Sequence, residues 1–398
     1  MKVTEGRVNT VTAMPYISPL TLAGEHRTVT IPNRVFLAPM AGVSDLPFRL
    51  LCHEQGAGLV AMEMVSAKAI TYHNHATVRL LRTHPGEHPV SLQLFTHEPE
   101  VLTRALDMIN SGEIADGLDF DVLDINMGCP VPKITGNGDG SALMKDPHLI
   151  EQLVRAAVAH TPHPVTIKIR LGFDEEHRNA VNCALAAEAG GASAVAVHGR
   201  TRPQMYSGRA DLSGIAAVKR ALSIPVFGNG DIVDGPSALR MFQETGCDAV
   251  LVGRAAEGNP WIFREILEYL EWIPYEGNGR FGKVSSCPER DQAAGSGLKA
   301  DDSRTMTGPS DEERISRVRQ VPFAVSQVTP KERKAMILRQ TDLCLRYTPE
   351  QVVMQEMRKH VAWYIAGFPG ASRIRSRVMQ VTTRQELEEL LDREMPEK

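Results

Sequence analysis

Apolar and polar positions along the 398-residue chain settle into one rhythm between residues 31 and 272. Short runs of Val, Ile, Leu and Ala alternate with longer stretches of helical period, as in β-α units that feed a parallel sheet. The runs predict eight strands: Val35–Pro39, Leu59–Glu63, Pro89–Phe95, Val122–Asn126, Val165–Ile169, Ala194–His198, Pro225–Asn229 and Ala249–Val252. Helices fit between them, for example Leu149–Ala159, His177–Ala189, Leu212–Ala221 and Pro236–Thr245. Gly56, Gly190-Gly191 and Gly246 stand where helix C-caps belong. The pattern predicts an α/β fold, an eight-stranded parallel (β/α)8 TIM barrel. An open doubly wound sheet is the alternative, but it needs a G-x-G-x-x-G after an early strand, and none is found.

The flanks follow other patterns. Residues 1–30 are polar and broken by Pro, and are expected to form an irregular lead-in or a short hairpin that closes the bottom of the barrel. Residues 273–328 are rich in Gly, Ser, Pro and charge, with few aliphatics, and are expected to be a largely disordered linker. A small all-helical C-terminal domain, 329–398, is expected to follow. Three capping-box starts mark it: Thr329-Pro-Lys-Glu332, Thr348-Pro-Glu-Gln351 and Thr383-Arg-Gln-Glu386. Gly367-Phe-Pro-Gly370 is expected to end its second helix.

In such barrels chemistry gathers where the strands end. Those ends carry Pro39-Met40-Ala41-Gly42, Glu63, Gln93, Asn126 with Cys129, Lys168 and Arg170, His198-Gly-Arg200-Thr-Arg202, Asn229-Gly230-Asp231 and Gly253-Arg254. The turns at Gly230 and Gly253 lie where these barrels bind phosphate, and Arg254 adds charge. Lys168 ends an apolar strand and should face the barrel mouth, where a cation needs an anion or a carboxylate such as Glu63 or Asp124. A reduced flavin ring would supply that anion, with Gln93 and Asn126 bonding its rim. Gly128 and Pro130 bracket Cys129, a weakly acidic thiol suited to general-acid work. A free Cys is more often a small buried hydrophobe, and His198 could equally be a satisfied core residue.

Composition narrows the class. Apolar content of 42% and charged content of 23% are ordinary for a globular protein. There is no apolar run long enough to span a membrane and no signal-peptide pattern in the first thirty residues. Six scattered cysteines without a C-x-x-C pair argue against zinc and disulfides and fit a reducing, cytoplasmic setting. The net charge is only −4, yet residues 331–380 hold ten Lys/Arg against four acids. A basic module beside an acidic barrel suggests a local RNA surface, with Arg358, Lys359, Trp363 and Tyr364 at its centre.

Ala38-Pro-Met-Ala-Gly-Val-Ser-Asp45, Asp124-Ile-Asn-Met-Gly-Cys-Pro130, Lys168-Ile-Arg170, His198-Gly-Arg-Thr-Arg202, Asn229-Gly-Asp231 and Val252-Gly-Arg254 resemble the tRNA-dihydrouridine synthases. The bacterial B-type subfamily is the nearest likeness, through Asn137-Gly-Asp-Gly-Ser-Ala142, Asn259-Pro-Trp-Ile-Phe263, Met357-Arg-Lys-His360, Trp363-Tyr364 and Phe368-Pro-Gly370. The likeness covers roughly 31–272 and 329–393. It implies an FMN enzyme that reduces uridines in tRNA with NADPH. By motif position, Pro39, Met40 and Ala41 line the flavin, and Gln93, Lys168 and His198 contact its ring. Asn229, Gly230, Asp231, Gly253 and Arg254 hold its phosphate, and Cys129 falls on the proton-donor position, facing the substrate from the side opposite the flavin. Asn126, Arg200, Arg358 and Lys359 are expected to bind substrate. The insert at 273–328 departs from the family pattern. No metal and no membrane partner are expected, and a monomer is. Two other functions fit parts of the chain: a flavin barrel acting on a free dihydroorotate- or dihydropyrimidine-type molecule, which leaves the basic module without a role, and an RNA-binding protein whose barrel has lost catalysis.

Overall fold

The computed structural model describes residues 16–115, 118–272 and 328–396. The expected linker therefore lies outside the described residues except for Val328, as does the first half of the lead-in. Two short strands come first, β1 (Leu20–Ala23) and β2 (Thr28–Ile31), paired antiparallel as a hairpin. Eight parallel strands follow: β3 (Val35–Leu37), β4 (Val60–Ser66), β5 (Val90–Phe95), β6 (Val122–Met127), β7 (Val165–Arg170), β8 (Ala194–His198), β9 (Val226–Asn229) and β10 (Ala249–Val252). Their order is β3-β10-β9-β8-β7-β6-β5-β4. The Leu37 N–H donates to Leu59 O at 2.8 Å and the Gly58 N–H to Val35 O at 2.9 Å, which joins the two outer strands and closes the barrel. All eight predicted strands are present. The second differs most: a register shift between Ala61 and Met64 carries it on to Ser66.

Helices cover the barrel and continue beyond it: α1 (Leu46–Glu54), α2 (Ala67–Thr71), α3 (His75–Val78), α4 (Pro99–Asn110), α5 (Pro132–Thr135), α6 (Pro147–Ala159), α7 (Ala180–Ala189), α8 (Leu212–Ala221), α9 (Gly235–Thr245), α10 (Ile262–Trp272), then α11 (Pro330–Leu345), α12 (Glu350–Tyr364), α13 (Ala371–Val378) and α14 (Arg384–Glu394). The barrel and the last four helices form one compact unit.

Strand alternation explains what the barrel encloses, because every second side chain points inward. Low in the barrel those positions are apolar. Phe36, Val122, Ala194, Ala196, Phe227, Ala249 and Leu251 pack with Leu20, Leu22, Val29 and Ile31 of the hairpin. The hairpin thus plugs the bottom. Two residues higher on the same faces stand Asp124 and Asn126, Lys168 and Arg170, His198, and Asn229. One period-2 pattern yields a dry floor and a polar mouth.

The C-terminal helices share a core with the barrel's α1. Ile337, Leu343, Val353, Met357, Val361, Ile374 and Leu391 pack together with Leu46, Leu50, Leu51 and Trp261. Thr329 and Thr383 form the expected capping boxes. Thr348 does not: its N–H is used in the turn that ends α11, donating to Cys344 O at 3.0 Å. The N-cap of α12 is Pro349, in extended backbone with φ −56° and ψ 142° and no side-chain cap. Gly258 is the tightest point of the dock. It has φ +64°, and a Cβ there would lie 2.3 Å from the Trp363 carbonyl carbon and 2.4 Å from the Tyr364 nitrogen. Next to it Trp261 meets Tyr364 edge-on, with centroids 6.0 Å apart.

Replacing Gly258 by Ala therefore adds a methyl into helix backbone at an unfavourable φ. The cost should be about 2 kcal/mol or more. Urea unfolding followed by circular dichroism checks this, and an unshifted midpoint would mean that the loop and α12 are not in contact in solution.

Candidate active site

The ends of β5, β6 and β7 are tied by a chain of side-chain bonds. Asn126 Nδ2 donates to Gln93 Oε1 at 2.9 Å, and Gln93 Nε2 donates to Asp124 Oδ2 at 2.6 Å. Thr166 Oγ1 donates to the other Asp124 oxygen at 2.6 Å. Burial raises the Asp124 carboxyl, while the bonds from Thr166 and Gln93 oppose that rise. The chain fixes which way the amides of Gln93 and Asn126 face, because donors and acceptors must alternate along it. Asn126 Oδ1 then accepts the N–H groups of Gly128 at 3.2 Å and Cys129 at 2.9 Å. The strand-end amide therefore shapes the turn that carries the thiol.

Cys129 is half-buried. Its carbonyl accepts both the N–H of Ser141, at 3.1 Å, and its hydroxyl, at 3.0 Å, so the two ends of the Cys129–Ser141 loop are pinned together. Gly140, with φ +60°, makes room: a Cβ there would stand 2.9 Å from Cys129 O. Burial raises the thiol pKa, and the nearby Arg170 and Lys168 charges only partly offset it. At neutral pH the group is a protonated thiol, not a thiolate.

Lys168 pairs in register with Asn126 and donates to Asn229 Oδ1 at 3.1 Å. Burial, then Arg170, lowers its pKa to about 8. Among the described residues no carboxylate forms an ion pair with it; Glu63 bonds the Gly42 N–H instead, at 2.5 Å. Arg170, at the very end of β7, ties the loops of the mouth together by donating to Gly128 O, Thr201 O and Met205 O. Arg200 is fully buried and grips both oxygens of Asp231, at 2.7 and 2.8 Å. It also lies 3.3 Å from His198 Nε2. An Arg can only donate, so Nε2 accepts and the imidazole proton sits on Nδ1. Burial, with Lys168, Arg170, Arg200 and Arg254 around it, holds His198 far below its ordinary pKa, and hence neutral.

The turns after β9 and β10 close the site. Gly230 has φ +128° and Asp231 φ +54°. A Cβ on Gly230 would come within 2.7 Å of Ala210 Cβ, whereas one on Gly253 would meet nothing nearer than Met40 Sδ at 3.9 Å. Arg254 stands exposed at the rim, its guanidinium 4.6 Å from the Tyr206 ring centre and 3.7 Å from Asp231. The mouth thus brings together Met40, Gln93, Asn126, Cys129, Lys168, His198, Asn229, Gly230, Asp231, Gly253 and Arg254.

A family model described as dihydrouridine synthase matches residues 36–280 and 315–398. The chain belongs to the dihydrouridine synthase family. Among similar proteins, the tRNA-dihydrouridine synthase B of Pseudomonas aeruginosa is 38% identical over 348 residues, spanning 87% of this chain and 88% of that protein. The synthase B of Pseudomonas syringae pv. tomato is 45% identical over 242 residues, 61% of this chain and 70% of that one. That of Pseudomonas putida is 36% identical over 349 residues, 87% of each.

Membership makes the chain a flavin-dependent oxidoreductase, and the mouth fits such a group. Among the described residues the Lys168 ammonium donates to a neutral amide and not to a carboxylate, and the Gly253 turn leaves ordinary contact distance to Met40 and Ala38 beside an exposed Arg. The C-terminal cations are a more mixed set. Arg373 and Arg377 pair with Glu394, Lys334 with Asp392, and Arg339 with Glu54 of the barrel. Over 329–398 thirteen Lys/Arg face ten Asp/Glu, because α14 is acidic. Arg358 keeps a buried Nε without a hydrogen-bond partner, while Lys359 reaches across to Gly42 O at 2.6 Å. The sequence reading missed Thr166, Ser141 and the Glu63–Gly42–Lys359 contact. Thr166 was legible, since it lies two residues before Lys168 on the same face; the others join residues far apart in sequence.

The raised Cys129 thiol gives a direct test. Alkylation needs the thiolate, so labelling of Cys129 by iodoacetamide should be slow at pH 7 and rise with an apparent pKa above that of an ordinary cysteine. Peptide mapping across a pH series reads it; a midpoint below about 8 would mean that the cations, not burial, dominate.

Proposed function

We propose that the protein reduces the C5=C6 bond of specific uridines in tRNA, with FMN as cofactor and NADPH as reductant. The observation that carries this reading is the pairing of Lys168, whose amine donates to Asn229 and to no carboxylate among the described residues, with the half-buried thiol of Cys129 on the adjacent strand end. Pro39, Met40 and Ala41 would line the flavin, with Gln93, Lys168 and His198 against its ring. Asn229, Gly230, Asp231, Gly253 and Arg254 would hold its phosphate through glycine-turn N–H groups and charge. When bound, reduced FMN supplies a hydride equivalent for uracil C6.

The chain's own residues do the rest. Cys129 holds the proton that C5 requires, and burial keeps it on sulfur until negative charge develops nearby. Asn126 sets the Cys129 turn and can bond the uracil edge. Lys168 favours anionic character on its side of the mouth. The neutral His198 offers its Nδ1–H as a donor. Arg200, buried against Asp231, would act by tying the segment after β8 to the turn after β9. The target base must leave its stack to enter, which suits a tRNA loop, and Arg358 and Lys359 lie on the module that would meet the RNA backbone. A tRNA substrate would suit a cytoplasmic setting.

Nucleoside mass spectrometry of an unmodified tRNA transcript, incubated with protein, FMN and NADPH, tests the reading. Dihydrouridine should appear, and free uridine should react far less; comparable turnover of both would favour a small-molecule reductase. Cys129→Ala should keep FMN and tRNA binding while turnover falls by about a hundredfold. Unchanged turnover would remove the thiol from the reaction. Lys168→Met should stabilise the flavin-free protein by about 1–3 kcal/mol, because a buried charge is removed, yet weaken FMN retention. Lower stability together with undiminished FMN binding would make Lys168 a structural group.

A further inference from the structure

We propose that Lys359 and Glu63 are positioning residues that clamp Gly42 by the two peptide groups flanking it, and that the C-terminal helices thereby set the turn that lines the flavin. The inference rests on the flavin reading of the Pro39–Gly42 turn. Gly42 donates its N–H to Glu63 Oε2 at 2.5 Å, and its carbonyl accepts from Lys359 Nζ at 2.6 Å. Glu63 belongs to β4 of the barrel and Lys359 to α12, so the two consecutive peptides that meet at Gly42 are held by different elements.

The turn needs holding. Gly42 is exposed and has φ +71°, and the rest of the turn is closed only by short-range bonds. Val43 and Ser44 donate to Met40 O at 3.1 and 3.0 Å, and Met40 N–H donates to Ser44 Oγ at 3.0 Å. Those bonds shape the turn but do not anchor it to the barrel. The same turn carries Met40, whose sulfur faces the space at Gly253. A shift at Gly42 therefore moves one wall of the cofactor site. The alternative role for Lys359 is a contact to an RNA phosphate, and that would draw its amine away from the Gly42 carbonyl.

The two roles separate in binding measurements on the full-length chain stripped of flavin. FMN binding is read by quenching of flavin fluorescence, and binding of a tRNA transcript is read in parallel. Lys359→Met should weaken FMN about tenfold, and Lys359→Arg should restore it, since a charged donor to a carbonyl is replaced by another. Glu63→Leu should have a similar effect, and the double variant should lose less than the two effects combined, because both act on the same turn residue. A Lys359→Met protein that binds FMN like the parent would overturn the clamp, whatever it does to tRNA. A parent that fails to bind FMN would overturn the cofactor reading and the clamp together. Matching thermal midpoints keep a folding defect from imitating either result.

Discussion

The constraint on which the rest depends is positive charge enclosed in a low-dielectric barrel. Lys168, Arg170 and Arg200 project from neighbouring strand ends into one space, and the carboxylates that face them are few. Asp231 is used up by Arg200, and Asp124 is itself pushed toward its neutral form. Desolvation then lowers both Lys168 and Arg170, the latter to about 10. A fold optimised only for its own stability would not keep this arrangement, because hydrophobic residues of similar size would serve better. The excess positive charge is an instability that an anionic ligand would relieve.

That instability is tolerated because the remainder of the barrel is apolar and firmly closed. The hairpin seals the floor, so water and charge are confined to the upper half, where field strength per charge is greatest. The C-terminal helices are tied to the same scaffold by contacts of different chemistry. Gly258 permits backbone-to-backbone contact, the Trp261–Tyr364 edge contact and the shared aliphatic core supply buried area, and Lys359 reaches the rim of the site. Helices so closely docked are poorly suited to swinging as a separate arm. A substrate gripped by them would be presented to the mouth at a fixed distance.

Much of this was legible in the sequence. Period-2 alternation with Gly and Pro punctuation located every barrel strand, and because the side-chain period is strict, Lys168 and Arg170 had to share the face of Thr166. Capping chemistry located α11 and α14. It failed at α12 because Thr348 sits in the turn closing α11, and a local signal cannot tell a residue that starts one helix from one that ends another. Net charge counted over one segment was incomplete in a similar way. Residues 331–380 read as strongly basic, but the acids of α14 fold back on Arg373, Arg377 and Lys334. What stayed hidden was non-local: Glu63 and Lys359 meet Gly42 across 21 and 317 residues of chain, and no periodicity encodes that.

The thiol shows why placement outweighs residue type. Two cations nearby would turn an exposed cysteine into a thiolate, a good nucleophile and a poor acid. At Cys129 burial prevails over them, and the proton stays on sulfur. The same cations remain close enough to stabilise the thiolate once the proton has gone. In the proposed reaction burial would set the resting state and charge would assist the departure. Both depend on the turn held by Asn126 and Ser141: a more open turn would wet the thiol and strip it of its proton too early, while a tighter one would bury it beyond reach of any substrate.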